Sequence, residues 1–361
     1  MDALADSKEV SEVISKGKTK MTVRLDSGIN CDLRVVGIGC FGSALQYFTG
    51  SRAHNVKLRK IAVRKGYKLN EYGLFDKKKI SIAGREEKEI YNSLGMDYID
   101  PEMREDRGEI ELAMKHGLPV LIEEKDIVGD LHVHTEYSDG TESMENMLLE
   151  AARMGREYIG FTDHSKSEHV AKGMDRKKFE KYAKEIERLN GIYEEKITVL
   201  KSSETDILKN GDLDWDRKSL DEMDYVLASV HTGLGMSEKE MTQRVVKCME
   251  SGNIDILGHP TDRLINQRLP LNIDMEKIFE AAEKNGVALE INALPERLDL
   301  NDRNILLAKN YRVKFAINTD SHSISHLHSM KYGIGMARKG WVESSEVINT
   351  KPLKDLKKFF G

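Results

Sequence analysis

Seven short apolar runs between Ile127 and His322, each closing on a histidine or a carboxylate, constrain this chain more than any other feature in it. In order they are IVGDLHVH, EYIGFTDHS, ITVLKSSETDI, YVLASVHTG, IDILGHPTD, VALEINA and VKFAINTDSH. Helical spacing of apolar residues fills intervals between them, as in Ser143 to Arg153, Arg176 to Gly191 and Met275 to Asn285. Strands alternating with helices predict an α/β domain of parallel strands, either open or closed into a barrel. Strand C-termini share one face of such a fold, so side chains far apart in sequence can converge there.

The residues at those ends are His132 and His134, Asp163 and His164, Glu204, His231, His259, Glu290, and Asp320 with His322; Asp139 follows the first run. A period of two places His132 and His134 on one side of their strand, within reach of one ion. A single histidine at a strand end is ordinarily satisfied by hydrogen bonds. Six of the eleven histidines at such positions, alongside acidic residues, are not explained by packing, whereas His54, His116, His169, His326 and His328 lack this placement and read as surface or packing residues. Nine candidate ligands (His132, His134, Asp139, His164, Glu204, His231, His259, Asp320 and His322) are too many for one zinc and suit about three divalent ions with open positions. Imidazole mixed with carboxylate fits Mn²⁺ or Zn²⁺, with Fe²⁺ as a further candidate, and the lack of cysteine argues against a closed structural zinc site. Ions about 3.5–4 Å apart that share a carboxylate can activate water at neutral pH and neutralise phosphate oxygens, which points to phosphoester hydrolysis.

Composition sets the remaining bounds. With 39% hydrophobic and 32% charged residues, the 361-residue chain reads as a soluble globular protein with room for two or more domains. The opening MDALADSKEV is too polar for a signal peptide, and no run approaches the roughly 18 apolar residues of a membrane helix, so a cytoplasmic protein is expected. Cys31, Cys40 and Cys248 form no paired motif, which suits a reducing compartment. The net charge of −5 hides a local excess: Arg52 to Lys79 holds ten basic and two acidic residues. Such a surface can meet nucleic acid within an acidic total.

Upstream of the seven runs the pattern differs. TVRLDSG and NCDLRVVGI read as short strands joined at Ser27-Gly28. FGSALQYFTGSRAHNVKLRKIAVRKG reads as two helices divided near Thr49-Gly50-Ser51, YKLNEYGLFD with KKKISIAG as a small hairpin, and REEKEIYNSLG as a helix closed by glycine. Pro101, Pro119 and weak periodicity place an inter-domain linker at 106–126.

DLHVHTEYSDG, FTDHS, SETDI, SVH, GHPTDR, EIN and NTDSH resemble, in order, the motif set of the polymerase and histidinol phosphatase (PHP) superfamily. The resemblance covers residues 127–361 and all nine candidate ligands. It implies a distorted seven-stranded (β/α) barrel, preceded by a small α+β region. It also implies a first ion on His132, His134, Glu204 and Asp320, a second on Glu204, His231 and His259, and a third on Asp139, His164 and His322. Glu204 and Asp320 would then serve catalysis, with Arg263 placed to hold a phosphate. Ser202-Ser203 and Asp262 stand where that family commonly has glycine, which implies altered loop geometry or substrate preference.

CDLRVV and FGSALQYFTGSRAHNVKLRKIAVRKGYKLNEYGLF resemble the end of the palm (1–39) and the thumb (40–105) of a family X DNA polymerase. That resemblance implies that Asp32 is a catalytic carboxylate, that Tyr47, Phe48 and Gly50 pack beside a nucleotide sugar, that Asn55 faces its base, and that Arg59 reaches the template. No Asp-x-Asp pair precedes Asp32 in this sequence, so nucleotidyl transfer is not expected of this chain unless a separate polypeptide supplies the rest of the palm. An exposed apolar face in the first 40 residues would favour such a partner. The function expected is a metal-dependent DNA phosphodiesterase, chiefly a 3'-to-5' exonuclease or DNA 3'-end processing enzyme. The alternatives are a histidinol-phosphatase-like phosphomonoesterase and a DNA-binding assembly subunit.

Overall fold

The computed structural model describes residues 1–193 and 195–360; Glu194 and Gly361, the last residue of the expected second domain, lie outside it. The chain divides into two compact units, Met1–Leu118 and Pro119–Gly361.

In the first unit β1 (Val10–Lys16), β2 (Lys20–Leu25) and β3 (Asn30–Arg34) form an antiparallel sheet in that order. β2 and β3 are the two strands the sequence predicts, turning where Gly28 takes φ +82, a conformation that glycine adopts without steric cost. β1 was not legible: it buries almost nothing and is held by backbone pairing to β2. The helices Phe41–Thr49 and Arg52–Arg64 follow, divided where Gly50 and Ser51 interrupt the periodicity. The Ser51 side chain caps the second by accepting from the His54 amide at 3.2 Å. A three-stranded antiparallel sheet of β4 (Lys68–Asn70), β5 (Gly73–Phe75) and β6 (Ser81–Ala83) leads to the helix Glu87–Ser93, which a Glu86/Glu89 capping box opens. A helix at Glu109–Met114 lies in the segment expected to be linker. It is tied to the first unit because the buried Glu109 carboxylate meets the buried His54 ring at 2.7 Å, and the other His54 nitrogen meets the Tyr91 hydroxyl at 3.2 Å. A buried polar pair of this kind is retained only when its partners are satisfied.

The second unit is α/β. β7 (Gly129–Val133), β8 (Tyr158–Phe161) and β9 (Thr198–Lys201) form one parallel sheet. β10 (Glu204–Asp206), β11 (Leu227–Ser229), β12 (Ile256–Leu257), β13 (Ala288–Asn292) and β14 (Phe315–Asn318) form another. β9 and β10 belong to one apolar run, interrupted only at Ser202-Ser203. The helices Met144–Arg153, Arg176–Tyr193 and Met275–Asn285 pack apolar stripes on the sheets, for example Met144, Met147, Leu148 and Ala151. On the opposite side of the strands Leu131, Tyr158, Leu200, Tyr225, Leu227, Ile256, Ala288 and Ala316 belong to a second buried cluster, to which every apolar run contributes at least one residue. The terminal helix Leu353–Phe360 adds Leu356 to that cluster, and Phe360 stacks on Tyr225 with ring centroids 5.0 Å apart. Among the described residues no helix is long and apolar enough to cross a membrane.

Candidate metal centre

The strand ends deliver the predicted side chains to one place. Four overlapping groups have ligand atoms within 4.8 Å of one another: His134, Asp139, His164 and His322; His132, His134 and Glu204; His132, His259 and Asp320; and His164, Glu204 and His231. All nine sequence-predicted ligands belong to at least one group. Three site residues, His259 (φ +22), Asp262 (φ +46) and Asp320 (φ +51), take left-handed backbone conformations, a strain that clusters at functional sites.

Glu204 lies at the middle of the cluster and is 1% exposed. Its two oxygens face different histidines. Oε1 lies 3.1 Å from His231 Nε2 and 2.7 Å from His259 Nε2. Oε2 lies 3.3 Å from His132 Nε2, 3.4 Å from His134 Nε2 and 3.1 Å from His164 Nδ1. Asp320 Oδ1 approaches His134 Nε2 at 3.2 Å and His132 Nε2 at 3.5 Å. Asp139 Oδ1 lies 3.4 Å from His322 Nε2 and 3.8 Å from both His134 Nδ1 and His164 Nε2.

These separations fit a divalent cation better than a hydrogen-bond network. Ligands about 2.1 Å from a tetrahedral ion stand roughly 3.4 Å from one another. Several buried ring nitrogens, including Nδ1 of His164 and both nitrogens of His231, have carboxylate oxygens nearby yet no hydrogen bond of acceptable geometry. A lone pair without a donor in a buried site is an energetic cost that a cation removes. The electrostatics agree. Burial alone would raise the Glu204 carboxyl, but His231, His132 and His164 hold it well below the usual carboxylate range. Burial would likewise lower His134, yet Asp320 and Glu204 raise it to about 9. His164 goes the other way: burial, with the charges of His134 and His231, pushes it well below 6.5, so it is neutral and able to donate a lone pair. Without cations the cluster stores positive charge as protons, and divalent ions would displace them.

The surrounding residues fix ring orientation. Glu290, a strand-end candidate outside the nine, accepts from His132 Nδ1 at 2.7 Å and from the His259 amide at 2.7 Å. A carboxylate behind an imidazole sets its tautomer and basicity. Asp206, which the sequence reading missed, stands behind His231: it accepts from the His231 amide at 3.1 Å and lies 3.4 Å from Nδ1 without a hydrogen bond to the ring. Its signal was there, two residues beyond Glu204 on the same face of β10. Asp163 accepts from the Thr135 amide and from the Thr135 and Ser138 hydroxyls, bracing the loop that leads to Asp139.

A cavity of about 310 Å³ opens at the cluster, lined in part by Asp139, Glu204, Asp262, Arg268, Arg297 and Asp320. Arg263, expected to hold a phosphate, is not in that lining. Its guanidinium donates to the backbone carbonyls of Arg297, at 2.8 Å, and Leu298. Arg268 and Arg297 line the cavity instead, and neither was singled out from the sequence.

In the first unit Asp32 lies exposed on β3 and accepts from the Thr22 hydroxyl. Tyr47 and Phe48 meet edge to face at 5.1 Å, and Phe48 is exposed. Asn55, expected to face a base, is buried with its amide engaged: it donates to the carbonyls of Tyr47 (2.8 Å) and Gly50 (3.0 Å) and accepts from Gln46 (2.9 Å). It braces the turn at Gly50. Arg59 is exposed on the helix Arg52–Arg64, beside Lys60 and Arg64.

Comparison with known proteins adds the following. The DNA polymerase beta thumb family model matches residues 44–105, and the PHP domain family model matches residues 130–294. The DNA polymerase/3'-5' exonuclease PolX of Bacillus subtilis is 38% identical over 361 residues, covering 99% of this chain and 63% of that protein. This chain therefore spans less than two thirds of the length of that relative. A probable phosphatase of Clostridium acetobutylicum is 34% identical over 206 residues, 54% of this chain and 78% of that protein. One from Vibrio parahaemolyticus is 26% identical over 247 residues, 64% of this chain and 93% of that protein. Among solved structures, histidinol phosphate phosphatase from Lactococcus lactis, complexed with zinc, L-histidinol and phosphate, aligns with a TM-score of 0.42 and 18% identity, over 58% of this chain and 93% of that one.

Proposed function

The chain belongs to the PHP family, as a PHP domain fused to a thumb-like region and homologous to the family X DNA polymerase PolX, and on that premise we propose that it is a metal-dependent phosphoesterase. The observation that carries the proposal is the set of overlapping histidine and carboxylate groups around Glu204 at the floor of one cavity.

Within this reading His132, His134, Glu204 and Asp320 hold a first ion, Glu204, His231 and His259 a second, and Asp139, His164 and His322 a third. The division of Glu204, with one oxygen toward each of two histidine sets, supports its assignment as a bridge. Bound Mn²⁺ or Zn²⁺ supplies Lewis-acid stabilisation of phosphate charge and activates water for attack. Glu290 holds the ring of His132, Asp206 holds the backbone of His231, and Arg297 and Arg268 present positive charge to an incoming phosphate. We also propose that the seven strand runs close into a distorted barrel. Support comes from the inner cluster, to which every run contributes, and from the bridges Val133–Ser321 and His164–Glu204, which link the two sheets.

Two substrate readings remain, and the relatives divide between them. Relatives that cover 54% and 64% of this chain are named probable phosphatases, which supports a phosphomonoesterase. The 3'-to-5' exonuclease reading is supported by the PolX relative and by the thumb match, whose basic helix Arg52–Arg64 suits a nucleic-acid backbone. A primer labelled at its 5' end and carrying a 3' phosphate, incubated with Mn²⁺, separates them. A shortening ladder identifies the exonuclease; loss of the terminal phosphate alone identifies the monoesterase. Neither activity, or equal activity in Glu204→Ala, refutes the phosphoesterase reading.

Val13, Ile14, Ile29, Val35, Ile38 and Phe41 are exposed in the first unit, which supports a polypeptide partner carrying the rest of a polymerase palm. Size-exclusion chromatography of this chain mixed with such a palm polypeptide tests this; separate elution counts against it.

A further inference from the structure

Asp262 is a residue that the phosphoesterase reading leaves without a task. It is 1% exposed, holds φ +46, and lies between the second-ion ligand His259 and the arginines of the cavity wall. Its Oδ1 accepts from Arg268 Nη2 at 2.6 Å and from Arg297 Nη1 at 2.8 Å, and its backbone carbonyl accepts from Arg268 Nε at 2.9 Å. Its Oδ2 is buried and has no hydrogen-bond partner. Arg297 Nε also meets Asp320 at 3.2 Å. Among the described residues this leaves each guanidinium with one terminal nitrogen, Nη1 of Arg268 and Nη2 of Arg297, without a protein hydrogen bond.

The arrangement costs something locally. An aspartate with positive φ is uncommon, and a buried carboxylate oxygen without a donor is unfavourable. The return is a pair of guanidinium groups locked side by side at the mouth of the cluster. The charge count matters as much as the geometry. Two arginines bring two positive charges and Asp262 removes one; Asp320, also beside Arg297, is assigned to the first ion and is the same in every variant, so Asp262 is the residue that sets the clamp's own net charge at one positive. At pH 8 a phosphodiester carries one negative charge, and a phosphate monoester close to two.

We propose that Asp262 is a specificity-determining residue that holds Arg268 and Arg297 as a singly charged grip, matching the site to a phosphodiester over a phosphate monoester. The inference rests on the phosphoesterase reading above and gives that site its substrate class. Asp262 acts through the arginines, so it is a positioning residue. One unit of charge several ångströms from the phosphate, at an effective dielectric near 20, changes the binding of each substrate charge by about tenfold or more.

The test uses the full chain, loaded with Mn²⁺, as wild type, Asp262→Asn and Arg268→Gln. Each is assayed at pH 8 on 4-nitrophenyl phosphate, a monoester, and on bis(4-nitrophenyl) phosphate, a diester. Asp262→Asn keeps a hydrogen-bond acceptor but loses the charge. Its monoester-to-diester ratio of kcat/KM is expected to rise about tenfold, mainly through a lower KM for the monoester, and inorganic phosphate is expected to inhibit it about tenfold more tightly. Arg268→Gln, on a partly exposed side chain, is expected to lower the ratio by a similar factor and decides the matter if the Asp262 variant fails to fold. An unchanged ratio in Asp262→Asn at wild-type metal content, or a raised ratio in Arg268→Gln, overturns the proposal. If the wild type hydrolyses neither ester, the phosphoesterase reading fails by itself. Calorimetric titration with inorganic phosphate then still separates the two ideas: tighter binding by Asp262→Asn supports the charge role, and equal binding overturns it.

Discussion

Replacing Glu290 by glutamine tests whether the residues behind the ligands set metal affinity. The Glu290 carboxylate is fully buried and receives four donors: His132 Nδ1 (2.7 Å) and Asn318 Nδ2 (3.0 Å) at Oε1, and the His259 amide (2.7 Å) and Asn292 Nδ2 (3.2 Å) at Oε2. Glutamine offers one oxygen and one NH₂, so either orientation sets two donors against an amide. Reversing Asn318 does not relieve this without loss, because its Oδ1 accepts from the Leu131 amide at 3.1 Å. Each buried donor left unsatisfied costs about 1–3 kcal/mol, so a loss of about 2–4 kcal/mol of stability is expected after partial relaxation. His132 also loses the carboxylate that makes it a better ligand, a change that typically weakens metal binding about 10- to 100-fold. Competition against a chromogenic chelator measures the affinity, and urea denaturation of the metal-free chain measures the stability. Wild-type metal affinity in a folded Glu290→Gln variant would refute the claim that this carboxylate tunes the site.

Asp255 gives a pH-dependent prediction. Burial raises its carboxyl to about 6 from 3.8, although its Oδ2 accepts from the Val226 amide at 2.8 Å. The folded state thus binds the proton more tightly than the unfolded state. The stability this confers is complete below 3.8 and lost as pH rises through 6. Asp255→Asn is therefore expected to gain about 1–2 kcal/mol at pH 8 and nothing at pH 4, discounted because the side chain is partly exposed. Calorimetry at the two values checks it, and an equal shift at both contradicts it. Cys248 is buried and its thiol is pushed up to about 12 by that burial, so a thiol reagent should label Cys31 and Cys40 in the native chain and reach Cys248 only on unfolding. Labelling of Cys248 at the rate of the other two would show the helix Glu238–Glu250 to be misplaced. Arg59→Ala should weaken binding to a duplex primer and reduce the slope of log K against log salt by about one, with hydrolysis of a small phosphate ester unchanged; an unaltered slope would remove the helix Arg52–Arg64 from the DNA contact.

The alternation of apolar runs and helical patterns carried most of the second unit, because strands buried on both faces leave a strong signal. The ligands were legible for a related reason: the topology sends every strand end to one face, so order in sequence became proximity in space. Direction was not legible. Arg263 and Arg297 both lie near the site, but the loop geometry turns Arg263 onto two carbonyls and leaves Arg297 on the cavity wall. Asp262 stood out in the sequence only as a departure from glycine. Its grip on Arg268 and Arg297 depends on contacts 6 and 35 residues away, which no local pattern encodes. Asn55 was expected at a nucleotide base from the resemblance to a polymerase thumb; the fold spends its amide on the turn at Gly50. β1 and the helix Glu109–Met114 escaped notice because both are short of apolar periodicity and are held by backbone pairing or a buried hydrogen bond.

The most direct test of the central claim counts metal ions and hydrolysis together. The chain would be stripped with chelator and titrated with Mn²⁺ and separately with Zn²⁺. Bound metal would be read by mass spectrometry after desalting, and hydrolysis of a phosphate ester followed at each step. The account predicts more than one ion per chain, with hydrolysis appearing as the sites fill, and both falling in Glu204→Ala because that carboxylate serves two histidine sets. Less than one ion per chain at saturation, or hydrolysis unchanged by stripping, would contradict it.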